Sequence, residues 1–207
     1  MTVVVEPARP DEAAACARLL ADALGDDPVI RAMIPGDRDR TARLVALHTA
    51  QLRSGPLPAG TVDVARTAPG GPPVGVAVWH RPGPEAPLRE RLRHLPAVVR
   101  AIGLRHLPTA LAQTARYERH RPRSPHWYLE EIAVGPDARG LGVGSALLRH
   151  RLAAVDAAGL PAYLEATTEA SRRLYERFGF VATGEVPVAG PRPWAMLREP
   201  VAPSATG

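Results

Sequence analysis

The sequence contains no lysine, no asparagine and a single cysteine, and only 4% of its 207 residues are aromatic. Without lysine, the chain cannot carry the Gly-Lys-Ser/Thr ending of a nucleotide-binding P-loop. Cys16 alone can form neither an intramolecular disulfide nor a cysteine zinc site, so we expect a reducing compartment and no metal. The scarcity of aromatic residues argues against a base-stacking surface and therefore against a nucleic-acid partner.

The chain also lacks long apolar runs. No segment approaches the roughly 20 apolar residues of a membrane span, and the first residues do not form a signal peptide. We therefore expect a cytoplasmic protein that does not associate with membranes. Its formal net charge is +5, and arginine supplies all the positive charge because the chain has no lysine. This charge favours anionic partners such as a phosphorylated cofactor.

Apolar runs at strand spacing alternate with amphipathic segments along the chain. They predict strands at 3–5, 61–67, 74–79, 127–134, 162–166, 181–186 and 194–198, with helices between most of them. Residues 85–120 have helical spacing interrupted at Pro96 and Pro108, which predicts a helical insertion covering the sheet. We expect an α/β or α+β fold in one domain over residues 1–199, followed by a disordered tail at 200–207.

The most informative segment is the turn Arg139-Gly140-Leu141-Gly142-Val143-Gly144, which joins a predicted strand to a predicted helix. A helix N-terminus presents free N–H groups and partial positive charge to an anion. Glycines let the backbone approach a phosphate closely, while Arg139 adds charge and Ser145 a hydroxyl. The spacing G-x-G-x-G differs from the dinucleotide fingerprint G-x-G-x-x-G. The segment therefore predicts a phosphate site of another kind.

Two motifs together resemble those of the GNAT superfamily of N-acetyltransferases. The acetyl-CoA motif Arg/Gln-x-x-Gly-x-Gly/Ala is matched by Arg139, Gly142 and Gly144. The helical signature Leu-Tyr-Glu-x-x-Gly-Phe is matched over residues 174–180. The resemblance implies acetyl-CoA as cofactor and a mixed, mostly antiparallel sheet that splays open beside the strand 127–134.

A closer resemblance, over nearly the whole chain, is to the puromycin N-acetyltransferases and their actinobacterial relatives. It rests on the segments 76–79, 120–122 and 190–194 and on the helical insertion. In that geometry, the N–H groups of residues 141–145 hold the pyrophosphate, and backbone groups of Ile132 and Val134 hold the pantetheine arm. Thr168 and Ser171 stand where the family often has a cofactor-contacting asparagine. The expected cofactor residues are Ile132, Ala133, Val134, Arg139, Gly140, Leu141, Gly142, Val143, Gly144, Ser145, Thr168 and Ser171.

Acetyl transfer to an amine needs a proton donor for the departing thiolate and a base for the amine. Tyr175 resembles the family tyrosine that protonates the thiolate, and a phenol is a suitable donor. Glu130 and Glu131 are candidate bases on the cofactor strand; regular pleating would place one on each face, with Glu130 slightly preferred. The N–H of Ile132 is a candidate for polarising the thioester carbonyl.

The acceptor pocket is expected between the N-terminal helices, the third strand and the last strands. Acids there would attract a cationic amine, and tryptophan faces would suit an aromatic or apolar one. The candidate lining residues are Asp26, Asp27, Trp79, His80, Tyr128 and Trp194.

Three functions are compatible with these motifs. The first is direct acetyl transfer to a primary amine of a small molecule in a ternary complex. The second is acetylation of a peptide or protein amine, which would need an open groove. The third is a non-catalytic acyl-CoA sensor, against which the presence of Tyr175 argues. The oligomeric state, monomer or homodimer, stays open.

Overall fold

The computed structural model describes residues 2–36, 38–83, 87–188 and 192–201. The strands are β1 (Val4–Pro7), β2 (Val62–Arg66), β3 (Gly75–His80), β4 (Trp127–Val134), β5 (Ala162–Ala166), β6 (Val181–Glu185) and β7 (Trp194–Arg198). The helices are α1 (Ala13–Leu24), α2 (Pro28–Met33), α3 (Arg40–Ser54), α4 (Leu88–Ile102), α5 (Leu107–His120), α6 (Val143–Ala157) and α7 (Glu169–Glu176). The start of the expected insertion at 85, part of the segment 190–194, and 202–207 of the expected tail lie outside the described residues.

The strands form one sheet in the order β1-β2-β3-β4-β5-β7-β6. Every neighbouring pair is antiparallel except β4 and β5, which run parallel. This arrangement confirms the mixed, mostly antiparallel sheet flanked by helices. α6 and α7 follow β4 and β5 respectively, so the predicted glycine turn lies at the end of β4.

The sheet splits between its two parallel strands. β4 and β5 pair only at Trp127 with Ala162, Tyr128 with Tyr163 and Leu129 with Leu164. Beyond this point β4 continues alongside β3, whereas β5 continues alongside β7. The expected splay beside the Trp127 strand is therefore confirmed. It leaves one backbone edge of residues 130–134 without a neighbouring strand among the described residues.

Helices cover both faces of the sheet. α6 packs on one face, where Leu147, Leu148 and Val155 are fully buried against the sheet. On the other face, α1 packs over β2 and β3 through residues such as Cys16 and Leu20. These two cores hold β4 from both sides and fix the direction of its side chains.

The helical insertion is confirmed, but its first helix, α4, packs mainly on α3 and not on the sheet, and the predicted interruption at Pro96 is wrong. α4 runs through Pro96 as one helix and ends at Ile102, before Gly103, whose φ is +85°. Proline removes a single helical hydrogen bond, and the left-handed conformation at Gly103 is the stronger stop. Pro108 lies in the first turn of α5, where its missing N–H has no helical partner to lose. No described helix is both long and apolar enough to cross a membrane.

Candidate active site

A cavity of about 850 Å³ opens where β4 and β5 separate. α1, α2 and α3 line one side, α5 another, and the floor comes from β4, β5 and α7. Ten of the residues singled out from the sequence line it: Asp26, Asp27, Tyr128, Glu130, Glu131, Ile132, Arg139, Thr168, Ser171 and Tyr175. The cavity thus brings together the candidate catalytic groups, part of the cofactor set and part of the acceptor set.

Glu130 and Glu131 both line this cavity, which corrects the expectation that they face opposite sides of the sheet. The pairing of β3 with β4 contains an irregularity: Val78 pairs with Glu131, whereas Trp79 pairs with Leu129. Glu130 is therefore an extra residue without a partner on β3. A β-bulge of this kind interrupts the two-residue alternation, so two consecutive side chains can point the same way. The bulge concentrates two carboxylates at one site.

Each glutamate has a histidine partner. His80 Nε2 lies 2.8 Å from Glu130 Oε2, and His48 Nδ1 lies 3.2 Å from Glu131 Oε1. Burial alone would raise the pKa of Glu130, but the His80 hydrogen bond and nearby positive charges lower it below its usual value. Burial alone would lower the pKa of His48, but the Glu131 carboxylate raises it above its usual value. Glu130 is therefore ionised at neutral pH, as a base must be.

Tyr175 lies on α7 with 6% of its surface exposed, and it contributes to the cavity wall. Its ring meets that of Phe180 edge to face, with centroids 6.0 Å apart. Burial, assisted by the negative charge of Asp27, raises the pKa of Tyr175 well above its usual value. The hydroxyl therefore carries its proton over the whole working pH range and can donate it, although as a weaker acid than free tyrosine.

The glycine turn has the geometry of an anion site. Gly140 and Gly142 each have a φ of +76°, which favours glycine, and a Cβ on either would meet no described atom within 4 Å. The N–H of Ala146 donates to Gly142 O at 2.9 Å. The N–H groups of residues 143–145 come before this first bond of α6, so no carbonyl of the helix receives them. Together with the exposed Arg139, they fit a pyrophosphate group.

The other expected members of the cofactor set have structural surroundings of their own. Val143 is buried in the core beneath α6, and Ala133 is buried on the opposite face of the sheet. A Cβ added to Gly144 would lie at ordinary contact distances, 3.7 Å from Val134 and 3.8 Å from Leu174. For Ala133 and Val143, only the backbone is available to a cofactor. The half-buried Ser145 completes the turn, whereas the N–H of the exposed Leu141 donates to Ala138 O at 3.4 Å and is therefore, contrary to the expectation, not free for a pyrophosphate.

Thr168 and Ser171 form the N-terminal cap of α7. Thr168 Oγ1 accepts a hydrogen bond from the Ser171 N–H at 3.1 Å, and Ser171 Oγ accepts one from the Thr168 N–H at 3.2 Å. This reciprocal cap satisfies two groups at the start of the helix that bears Tyr175. Both residues also line the cavity, so their hydroxyls stand at its wall while they fix the helix.

Asp26 and Asp27 differ in their surroundings although both line the cavity. Asp26 is exposed and pairs with Arg31 at 2.9 Å. Asp27 caps α2, because its Oδ1 accepts from the N–H groups of Val29 at 2.9 Å and Ile30 at 3.3 Å. Its Oδ2 accepts a hydrogen bond from Thr167, just beyond β5. Asp27 therefore ties the short helix α2 to the far side of the cavity.

Three expected acceptor-pocket residues lie elsewhere. Trp79 is completely buried on the α6 face of the sheet, because the regular alternation of β3, in which Ala77 faces the same way, turns its side chain away from the cavity. His80 stands beside Glu130 as its hydrogen-bond partner, with 42% of its side chain exposed. Trp194 packs its ring under Arg172, whose guanidinium carbon lies 5.1 Å from the ring centre.

Among the polar residues of the cavity wall that sequence reasoning missed, six come from α3, from α5 and the residue that follows it, and from β5. They are His48, Gln51, Gln113, Tyr117, Arg121 and Glu165. Two signals were available in the sequence. Gln113, Tyr117 and Arg121 recur at intervals of four residues, which places them on one helical face. Glu165 is a charged residue within an otherwise apolar strand, and burial raises its pKa.

Comparison with known proteins agrees with this geometry. Residues 79–180 match the model of the acetyltransferase (GNAT) family. The whole chain is similar to a crystal structure from Corynebacterium glutamicum, described as histone acetyltransferase HPA2 and related acetyltransferase. The two are 33% identical, each is covered over 99% of its length, and the TM-score is 0.75.

Two further similarities are more limited. A 5-NmdU N-acetyltransferase of Pseudomonas phage PaMx11 is 34% identical over 67 residues, which are 32% of this chain and 48% of that protein. The chain therefore spans about half of that curated relative. A mosquito arylalkylamine N-acetyltransferase like 5b shares the fold with a TM-score of 0.58 at 15% identity, over 96% of this chain and 100% of the other.

Proposed function

Because the chain belongs to the GNAT family of acetyltransferases, we propose that it transfers an acetyl group from acetyl-CoA to a primary amine of a small molecule. The observation that carries the proposal is the cavity in which Tyr175, Glu130 and Glu131 meet. A proton donor and two proton acceptors share this space beside the open edge of β4. Acetyl transfer to an amine requires both kinds of group.

The residues present fit a coenzyme A substrate. Acetyl-CoA, when bound, supplies an acetyl group activated as a thioester. The free N–H groups of residues 143–145, with Arg139, would hold its pyrophosphate. The open backbone edge at Ile132 and Val134 would pair with its pantetheine arm, and the N–H of Ile132 would polarise the thioester carbonyl. Thr168 and Ser171 would contact it from the cap of α7.

The cavity groups account for the proton movements of the reaction. A carboxylate, assigned to Glu130, accepts one proton from the ammonium form and leaves a neutral amine, directly or through water. The amine nitrogen then bonds to the acetyl carbon while the carbon–sulfur bond breaks. Tyr175 donates its proton to the departing sulfur and regains one from the nitrogen. The proton held by Glu130 passes to solvent, so the reaction releases one proton in total.

Transfer without an acyl-cysteine is supported by the state of Cys16. It is completely buried, and burial raises the pKa of its thiol to about 11. A buried neutral thiol is a poor nucleophile. The acceptor amine therefore attacks the thioester directly in a ternary complex.

A small acceptor is favoured over a protein. α5 stands against the cavity through Gln113 and Tyr117, where a peptide-binding groove would need open space. The resemblance to the puromycin N-acetyltransferases also favours a small acceptor. That resemblance rests partly on segments outside the cavity wall. The acids of the wall favour a positively charged amine.

The proposal is tested by measuring thiol release from acetyl-CoA against a panel of primary amines and lysine peptides. We expect turnover with at least one small amine and little or none with the peptides. If the peptides are acetylated faster than the small amines, the protein acetylates peptide or protein amines instead. Tight binding of acetyl-CoA without turnover of any amine would make the chain an acyl-CoA sensor and contradict the proposal.

A further inference from the structure

The cavity wall holds a cluster of polar side chains whose buried donors and acceptors are only partly paired among the described residues. They are the six residues His48, Gln51, Gln113, Tyr117, Arg121 and Glu165. Gln113 and His48 are only 3% and 1% exposed. Buried polar atoms in folded proteins are nearly always paired, and those that are not call for a ligand or water. The cluster therefore marks the part of the cavity built for a polar ligand.

The cluster mixes donors with acceptors. Arg121 Nε and Gln113 Nε2 can only donate, whereas the Oε1 atoms of Gln113, Gln51 and Glu165 accept. The Tyr117 hydroxyl can do either. These atoms come from α3, from α5 and the residue that follows it, and from β5, so separate parts of the cavity wall contribute them. A ligand that satisfies them must offer both donors and acceptors at several points.

Hydroxyl groups meet this requirement best, because each one can donate and accept at the same time. A plain alkyl or aryl amine would leave the cluster unpaired after displacing water from it. The ring of Tyr128, with Arg121 stacked 3.7 Å above it, adds a flat wall beside the cluster. A ring bearing hydroxyl groups fits such a surface.

The charge of the cavity wall indicates which charged group the ligand carries. Six carboxylates line the cavity, against two arginines, on a chain whose net charge is +5. The carboxylates are Asp22, Asp26, Asp27, Glu130, Glu131 and Glu165. A negative cavity in a positive protein attracts cations. The ammonium group would lie at Glu130 and Glu131, with its hydroxyl-bearing body against the polar cluster.

We propose that the acceptor is a hydroxyl-rich cyclic amine of the amino-sugar class. This inference rests on the proposed function, since it names the substrate class of the same site. Gln113 and Tyr117 then determine specificity, whereas Glu130 and Tyr175 carry the chemistry. A site built to bind hydroxyl groups rejects an analogue lacking them, because its own buried groups are left unpaired.

The test compares D-glucosamine with cyclohexylamine, which has a ring of the same size without hydroxyl groups. kcat/KM is measured for both amines with the full chain, with Gln113→Leu, and with Thr109→Val as an exposed control on the same helix. Comparing each variant with the wild type cancels the different basicity of the two amines. Thermal unfolding without ligand is measured for all three proteins.

We expect Gln113→Leu to lower kcat/KM for D-glucosamine by about tenfold to a hundredfold and to leave cyclohexylamine unchanged. Its melting temperature should fall by no more than a few degrees, because leucine keeps the packing and removes only the contact of Gln113 with Tyr117. Thr109→Val should change none of these values.

Equal losses for both amines, or a lower melting temperature with an unchanged preference, would overturn the inference. So would turnover of cyclohexylamine but not of D-glucosamine, an outcome that leaves the proposed function intact. If acetyl-CoA binds and no amine of any class is acetylated, the proposed function itself fails and the substrate class fails with it.

Discussion

Glu130 and Glu131 are consecutive on β4, yet both side chains reach the same cavity. The bulge that aligns Val78 with Glu131 and Trp79 with Leu129 leaves Glu130 without a cross-strand partner. Trp79, on the regularly alternating β3, points to the opposite face and into the core. One extra residue in β4 thus places two consecutive carboxylates in the site.

The two glutamates should differ in function, because their partners differ. We expect Glu130→Gln to lower kcat at neutral pH by about a hundredfold, the usual contribution of a general base. The isosteric Glu131→Gln, in the same cavity, should cause a smaller loss, since Glu131 is held by the buried His48. Steady-state kinetics over a pH series checks this.

The pH dependence follows from the lowered pKa of Glu130. The carboxylate stays ionised at neutral pH. The turnover rate should therefore fall only as the pH drops through that lowered pKa. The deficit of Glu130→Gln should shrink at high pH, where the free amine needs no base. A larger loss in Glu131→Gln than in Glu130→Gln would reassign the base.

Removing the hydroxyl of Tyr175 should slow the chemical step without weakening the binding of acetyl-CoA. Tyr175→Phe keeps the ring that packs against Phe180, so the fold should be preserved. We expect kcat to fall by about a hundredfold to ten-thousandfold while the affinity for acetyl-CoA is retained. Tyr163→Phe, which removes a buried hydroxyl from β5, serves as the matched control and should keep its kcat. Wild-type thiol release in Tyr175→Phe would remove the residue from the mechanism.

His48 should make stability depend on pH. Its folded-state pKa is raised by Glu131, against the opposing effect of burial. Its stabilising contribution is therefore complete below the unfolded-state value and is lost as the pH rises through the folded-state value. We expect the difference in unfolding free energy between the wild type and His48→Gln to shrink as the pH rises above about 6.5, the usual pKa of a free histidine. A difference that is constant or grows with pH would contradict the Glu131 pairing.

A buried ion pair far from the chemistry should dominate a stability measurement. Arg151 on α6 donates through Nε to Asp63 Oδ2 at 2.8 Å, and Asp63 is completely buried on β2. Asp63→Ala leaves the guanidinium without its partner and should cost about 3–5 kcal/mol in urea unfolding. Arg173→Ala, which breaks an exposed pair with Glu169, should cost less than about 1 kcal/mol. Similar costs for both variants would disprove the structural role of the buried pair.

The sequence was most informative where one short motif carries both structure and chemistry. The pattern of Gly140 and Gly142 predicted the turn at the end of β4, because few residues other than glycine adopt a positive φ. The apolar run before the turn predicted β4 with its observed bounds, 127–134. These are local properties, and local sequence determines them.

The remainder depends on contacts between distant segments. The dipeptide Glu130-Glu131 does not predict a bulge, because the bulge arises from the register of β4 with β3. The role of Gln113 could not be predicted either, since other polar residues of the same cavity, Glu165 on β5 and Gln51 on α3, come from distant segments of the chain. The predicted helix interruption at Pro96 was wrong for a related reason. α4 packs on α3, and that packing outweighs one missing hydrogen bond.

The binding of the cofactor on the glycine turn is tested most directly by the affinity of acetyl-CoA for two glycine variants, measured by isothermal titration calorimetry. Gly142 and Gly159 stand near opposite ends of α6 with φ values of +76° and +64°, and neither has a described atom where a Cβ would lie. Valine at either position should therefore introduce similar backbone strain, of about 1–2 kcal/mol. We expect at least a tenfold loss of affinity in Gly142→Val and wild-type affinity in Gly159→Val, with both proteins folded by circular dichroism. Equal affinity in the two variants would contradict the placement of the cofactor pyrophosphate on the turn from Arg139 to Ser145.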